Sequence, residues 1–288
     1  MKKKTVSVAL LFFAAAFLIG AVFPAHAYAQ EVYSGSGVTI DATNAAGGTV
    51  KVAYQDSSNR RIKVQIVKSS TYNYNLTPNG EFESYPLNMG SGQYTVTVYG
   101  NVTGSTYSAI FSTVLNVALS DEFAPYLMPS QFIDYDTTTK VVQKAEKLVH
   151  KCKTDTEKVN VIYAYVIDLL NYDKEKAATV KSGYVPNLDV IYASKKGICF
   201  DYASMLAAML RSQGVPTKLV MGYVAPNSLY HAWNEVYTEE SGWVKKVILF
   251  DGNQWVLMDP TFASYCDSSS KIMKFIADES NYRVKYTY

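Results

Sequence analysis

Cysteine and histidine are scarce in this chain, three of each in 288 residues. Three thiols cannot build a disulfide framework, and the odd number leaves at least one without an internal partner. Three histidines scattered along the chain argue against a zinc site, and no metal or cofactor is expected. Charge of one sign is also missing. The 27 basic and 25 acidic side chains leave a net +2, so there is no electrostatic reason to expect nucleic acid as a partner. Hydrophobic residues make up 48% and charged residues 18%, a balance that argues against disorder, collagen and coiled coil. What the chain has in quantity is tyrosine, 24 residues, which suits a β-rich protein. At roughly 100–200 residues per domain, the length suggests one large domain or two ordinary ones.

The first residues read as an address. Lys2, Lys3 and Lys4 precede an apolar run from Val6 to Val22, then Pro24 and small residues. Ala25-His26-Ala27 and Ala27-Tyr28-Ala29 both fit the small-x-small cleavage pattern of a secretory signal peptide. A permanent anchor would need about 20 apolar residues, which makes this run marginal for spanning. The expectation is a signal peptide over residues 1–29, cut after Ala27 or Ala29, with no membrane span afterwards. Its removal takes three lysines and no acid, leaving 24 basic against 25 acidic side chains. A secreted or cell-envelope location is an oxidising one, where a free thiol calls for a reason.

From Val38 to about Ser120 the pattern is one of short alternating strands. Val50, Val52 and Tyr54 share one parity; so do Ile62, Val64 and Ile66, and then Tyr94, Val96 and Val98. Asn44–Gly48, Ser57–Asn59, Pro78-Asn79-Gly80 and Met89–Gly92 supply turn chemistry. A small Ig-like β-sandwich over residues 30–120 is predicted. With no Cys and no His, that stretch reads as a binding or spacer module. Its sequons at Asn75 and Asn101 read as chance matches. Phe123-Ala124-Pro125 and Met128-Pro129-Ser130 mark a stiff boundary, and a second domain is expected over 121–288. There Thr154-Asp155-Thr156-Glu157 forms a capping box, and Val159, Ile162, Tyr163, Val166 and Leu170 fall on one helical face. A turn-rich loop, Asn171–Asn187, follows.

The residues that carry chemistry come next. Gly197-Ile198-Cys199-Phe200-Asp201-Tyr202 opens a helix whose core stripe is Tyr202, Met205, Leu206, Met209 and Leu210, and which Gly214 and Pro216 stop. Cys199 thus sits in a first helical turn, where unpaired N–H groups and the macrodipole favour the thiolate. A strand from Leu229 to Tyr237 puts His231, Trp233 and Glu235 on one face. Another, Trp255–Asp259, puts Trp255, Leu257 and Asp259 on one face. Cys, then His, then Asp is the chain order of a thiol triad: imidazole takes the thiol proton, and the carboxylate fixes its tautomer and orientation.

Four motifs in order, Lys196-Gly197-Ile198-Cys199-Phe200-Asp201-Tyr202-Ala203, Gly214-Val215-Pro216, Tyr230-His231-Ala232-Trp233 with Glu235-Val236, and Met258-Asp259-Pro260-Thr261, resemble the transglutaminase-like superfamily of secreted bacterial type. The resemblance covers roughly the second half of the chain. It implies an α+β papain-like core in which the Cys helix packs on an antiparallel sheet. It also implies Cys199 as nucleophile, His231 as general base and acid, Asp259 as orienting carboxylate, and a thioester formed from an amide. Two departures from animal transglutaminases weigh against calcium-dependent crosslinking: no Trp stands upstream of Cys199, and no acidic cluster is spaced for calcium.

Each remaining candidate has a plainer reading. Cys152 and Cys266 read as core residues, with a mutual disulfide left open. His150, among Lys147, Lys151 and Lys153, reads as structural. Asp201 reads as an ordinary first-turn stabiliser with no catalytic role. For the oxyanion, the N–H of Cys199 is one natural donor, with Tyr172 or Tyr184 as second. Asp251-Gly252 predicts a hairpin pairing Val247–Phe250 with Trp255–Met258. A plain meander would leave Asp259 two strand spacings, about 9–10 Å, from His231. The triad therefore requires the Asp259 strand directly beside the His231 strand, with the 239–253 insert on the outer side. The expected activity is cysteine-dependent hydrolysis or acyl transfer on a protein or peptide substrate in the envelope or outside the cell. The alternative is a catalytically silent binding or adhesion protein that keeps the same shape.

Overall fold

Alternating apolar residues build the first half of the protein, as the computed structural model shows for the described residues, 31–225, 228–245, 248–250, 255–257 and 278–288. Eight strands form two antiparallel four-stranded sheets. β1 (Val32–Gly35), β2 (Val38–Asp41), β3 (Thr49–Tyr54) and β6 (Glu83–Pro86) lie in the order β1-β2-β3-β6. β4 (Ile62–Val67), β5 (Thr71–Leu76), β7 (Gly92–Thr103) and β8 (Thr106–Val117) lie in the order β5-β4-β7-β8. The three predicted parity sets are the buried ones: Val50, Val52, Tyr54; Ile62, Val64, Ile66; Tyr94, Val96, Val98. Period-two burial on facing sheets is what makes a sandwich.

The period then becomes helical. α1 (Lys140–Val149) and α2 (Asp155–Leu169) are followed by β9 (Asn171–Tyr172), α3 (Lys174–Thr179), α4 (Leu188–Ser194), β10 (Lys196–Gly197) and α5 (Cys199–Arg211). Thr154 caps α2 by accepting from the Glu157 N–H at 3.2 Å, while the Glu157 carboxylate accepts from the N–H of Lys153, one residue before the cap. Val159, Ile162, Tyr163, Val166 and Leu170 are buried, as their spacing predicts. The 171–187 stretch is not all loop. β9 pairs in parallel with β10, and the Asp173 side chain caps α3 through the Lys176 N–H at 2.8 Å. A six-residue helix with no buried residue has no apolar stripe by which a sequence pattern could show it.

β11 (Thr217–Val224), β12 (Leu229–Thr238), β13 (Gly242–Lys245) and β16 (Tyr282–Thr287) form an antiparallel sheet in the order β13-β12-β11-β16. β14 (Ile248–Phe250) and β15 (Trp255–Leu257) pair as the Asp-Gly signal predicts, with Phe250 opposite Trp255. The expected strand order needs correction. The insert does not stay outside: β13 pairs with the C-terminal half of the His231 strand, Glu235–Thr238. Among the described residues β15 pairs only with β14. A short hairpin connection across Glu239–Ser241 makes that pairing the local choice.

Sandwich and helical half join without a break. Glu31–Tyr288 is one compact unit, and a single cluster of buried side chains runs from Val38 to Tyr288. Tyr72, Tyr74, Phe132 and Tyr288 interlock at ring separations of 4.9–6.5 Å. Arg211 is the polar joint. Wholly buried at the end of α5, it donates to the carbonyls of Thr217 (2.8 Å), Met128 (2.7 Å) and Tyr288 (3.0 Å). Burial lowers its guanidinium to about 10.

Candidate functional site

Cys199 is the first residue of α5, after Ile198 in extended conformation. The Asp201 and Tyr202 N–H groups bond to the Ile198 carbonyl. Those of Cys199 and Phe200 have no backbone partner among the described residues. The start of a 13-residue helix therefore offers the sulfur unpaired donors and the positive end of the dipole. Ala203 to Leu210 are buried, which fixes the helix while its first residue stays partly accessible. Cys199 and Cys152 are both free thiols among the described residues. Burial, and next Glu157, raise the Cys152 thiol above its ordinary value.

His231 lies on β12 opposite Gly222 of β11, and it is 4% exposed. Asn234 ties β12 to the cysteine helix, donating to the carbonyls of Ala203 (3.0 Å) and Lys218 (3.2 Å). Trp233 shares the face of His231, opposite to Asn234, and packs with Val220, Val224 and Tyr282. The His231 ring runs at 21° to that indole, centroids 6.3 Å apart. Gly222 makes the arrangement possible: a Cβ there would come within 2.2 Å of the Arg283 carbonyl oxygen and 2.8 Å of Trp233. Cys199 and His231 line one cleft of about 580 Å³. Asp259, the predicted third member, and Cys266 lie outside the described residues.

Beneath Cys199 sits a polar group whose importance the sequence did not show. Asp201, fully buried, accepts from the Ile198 N–H (2.9 Å), the Tyr184 hydroxyl (2.6 Å) and Lys176 Nζ (2.5 Å). Lys176 Nζ also donates to the Tyr184 oxygen at 2.7 Å. One carboxylate thus completes the cap of the cysteine helix and pins α3 and the turn after it. Gly197 lets Asp201 approach, since a Cβ there would lie 2.7 Å from the Asp201 Cβ. Burial, and then the hydrogen bond and charge of Asp201, hold the Tyr184 phenol well above its usual range. Tyr172 and Tyr184 both line the cleft. The Tyr184 proton is committed to Asp201, so as placed it does not offer that donor to an oxyanion.

The sequence reading also passed over Tyr230, beside the general-base candidate. It lines the cleft, and its phenol is raised by burial first and then by Tyr286, Tyr223 and Cys199. Nor did it foresee that the sandwich contributes Lys63, Asn73, Tyr74 and Asn75 to the cleft wall. Neither has a sequence signal, because both depend on which surfaces the fold brings together.

With a helix-start cysteine and a strand histidine in one cleft, comparison with known proteins has a geometry to meet. The family model of the transglutaminase-like superfamily matches residues 142–260, a span that contains Cys199, His231 and Asp259. The match covers 119 of the 288 residues and makes this segment similar to that superfamily. The transglutaminase-like segment accounts for α1 to β15, and the sandwich precedes it. An uncharacterized Bacillus subtilis (strain 168) protein, YebA, is 22% identical over 232 residues, 64% of this chain and 30% of that protein. The chain thus spans about a third of that curated relative's length. Two solved structures are also similar. A proposed cysteine protease from Cytophaga hutchinsonii is 17% identical with a TM-score of 0.42, over 84% of this chain and 79% of that one. Red sea bream transglutaminase is 13% identical with a TM-score of 0.32, over 74% and 48%. The family match supports a cysteine-dependent enzyme.

Proposed function

We propose that this protein is a secreted cysteine enzyme that acts on amide bonds of proteins or peptides in the cell envelope or outside the cell. The observation that carries the reading is Cys199 at a helix start, in the same cleft as His231. In the proposed reaction His231 takes the thiol proton, and the sulfur attacks the amide carbonyl. The Cys199 N–H stabilises the resulting oxyanion. The C–N bond then breaks as the imidazolium returns its proton to the leaving amine, giving a thioester. Water or an amine attacks the thioester, His231 takes the proton of the attacking group, and the C–S bond breaks to restore the thiol. Asp259 would orient the imidazole. Hydrolysis and acyl transfer share every step up to the thioester.

The test is intact-protein mass after incubation with a peptide library and rapid acid quenching. A covalent adduct mapped to Cys199, absent in Cys199→Ala and in His231→Ala, is the expected result. Unchanged turnover of amide substrates in both variants would remove the thiol mechanism. A sluggish thiol with intact peptide binding would favour the silent-binder alternative.

A further inference from the structure

The sandwich enters the cleft by one feature, the free edge of β5. Among the described residues this strand ends its sheet and has only β4 beside it. The Asn101 N–H bonds the Arg61 carbonyl, and the Lys68 N–H bonds that of Ser70. In an antiparallel ladder the direction of bonding alternates. Ile62, Val64 and Ile66 of β4 therefore face β5, pairing with Leu76, Tyr74 and Tyr72. The N–H and C=O groups of Asn73 and Asn75 then point away from the sheet. The Asn75 carbonyl shows this directly, accepting from the side chains of Gln131 and Tyr85. Asn73 has no such partner for its backbone groups among the described residues.

Residues from both faces of this strand line the cleft, Asn73 and Asn75 from one face and Tyr74 from the other, with Lys63 of β4 beside Asn75. Side chains of opposite parity border one cavity only if the edge between them faces it. Lys181 and Gly183 also line the cleft, and Gly183 (φ +91) packs so closely on the Asn75 side chain that a Cβ would lie 2.6 Å from its Nδ2. Lys63, whose Nζ rests 5.3 Å from the Tyr107 ring centroid, and Lys181 are the two lysines of the lining, and none of its described residues is acidic.

Resting on the function proposed above, we propose that β5 is the substrate-docking strand. An extended, acidic polypeptide segment adds to its free edge through the Asn73 backbone, its carboxylates meet Lys63 and Lys181, and the chain runs on toward Cys199. A cleft of about 580 Å³ is roughly 10 Å across, room for about three residues of extended chain. Main-chain pairing gives affinity without requiring one sequence, and the cations set the charge preference.

The test is fluorescence anisotropy of fluorescein-labelled nonapeptides on the full chain carrying Cys199→Ala, so that binding is read without turnover. The probes are a Glu/Phe-rich peptide, its Lys/Phe counterpart, and a Glu/Phe copy N-methylated at alternate amides. The Glu/Phe peptide should bind best, and Asn73→Pro should weaken it about tenfold, the value of one or two main-chain hydrogen bonds. Asn73→Ala, which keeps the N–H, should stay within about twofold. Lys63→Glu with Lys181→Glu should reverse the charge preference. Parent-like binding by Asn73→Pro, or full-strength binding of the N-methylated peptide, would overturn the edge. Should Asn73→Pro fail to fold, the N-methylated peptide decides alone. Equal binding of the Glu and Lys peptides would overturn the acidic preference. Iodoacetamide alkylation of the unsubstituted chain keeps the two readings apart. A slow thiol with edge-dependent binding counts against the thiol chemistry alone; a fast thiol with edge-independent binding counts against the docking strand alone.

Discussion

Replacing Lys176 by Met removes the only cation bonded to Asp201 among the described residues and leaves its carboxylate buried on two neutral donors, the Ile198 N–H and the Tyr184 hydroxyl. Breaking a buried pair from one side costs about 3–5 kcal/mol, because the surviving charge stays out of water. Lys176 keeps 26% of its side-chain exposure against 0% for Asp201, so the lower end, about 3 kcal/mol, is expected. In urea that moves the midpoint by roughly 1–3 M for slopes of about 1–3 kcal/mol/M. Asp201→Leu should cost a similar amount, since it strips the helix cap and leaves the ammonium facing the wall. The double variant removes both charges together but still lacks the Asp201 cap, so it should lose at least about 1 kcal/mol less than the sum of the two singles. The cycle thus predicts a large coupling between residues 25 positions apart in sequence. Equilibrium urea unfolding followed by tryptophan fluorescence and far-UV circular dichroism measures it. A Lys176→Met midpoint within about 0.3 M of the parent, or a double variant that loses the sum of both singles, would refute the view that this ion pair holds the cleft wall.

Arg211→Met should cost about 3 kcal/mol in thermal unfolding, because it removes three buried hydrogen bonds from the guanidinium to the Met128, Thr217 and Tyr288 carbonyls, of which Tyr288 keeps the Leu219 N–H. Sandwich and core signals should fall together, as Arg211 joins the segments between them. Gly222→Ala should destabilise by about 1–3 kcal/mol through the clash with the Arg283 carbonyl, and stability unchanged in urea would contradict that packing. Burial raises Tyr94, Tyr126 and Tyr135 to about 12 each. An acid held protonated by the fold stabilises fully below its unfolded value near 10, and that contribution is lost as pH climbs to the folded one. Stability should therefore fall between about pH 10 and 12, by at most about 3 kcal/mol for each tyrosine. Absorbance at 295 nm should show their ionisation coinciding with loss of circular dichroism; ionisation completed near pH 10 in a folded chain would contradict the burial.

Whatever depends on periodicity or local turn chemistry was readable from the chain. The parity sets of β3, β4 and β7, the Thr154 cap, the buried stripe of α2, the Asp-Gly hairpin and the placement of Cys199 at a helix start all rest on residues within a few positions of one another. The order Cys199, His231, Asp259, with the motifs around them, likewise marked the transglutaminase-like core. Only the folded chain decided how distant surfaces meet. Asp201 looked like an ordinary first-turn acid, and it became a buried anchor because Lys176 and Tyr184 arrive from another element. β13 took a place beside β12 that parity could not assign, since parity sets a strand's face and leaves its neighbour open. The sandwich strand β5, with neither Cys nor His, reached the cleft wall because an edge has no sequence signature until the partner that leaves it bare is known. Contacts across many residues reflect the whole balance of packing and hydrogen bonding, which no short window of sequence contains.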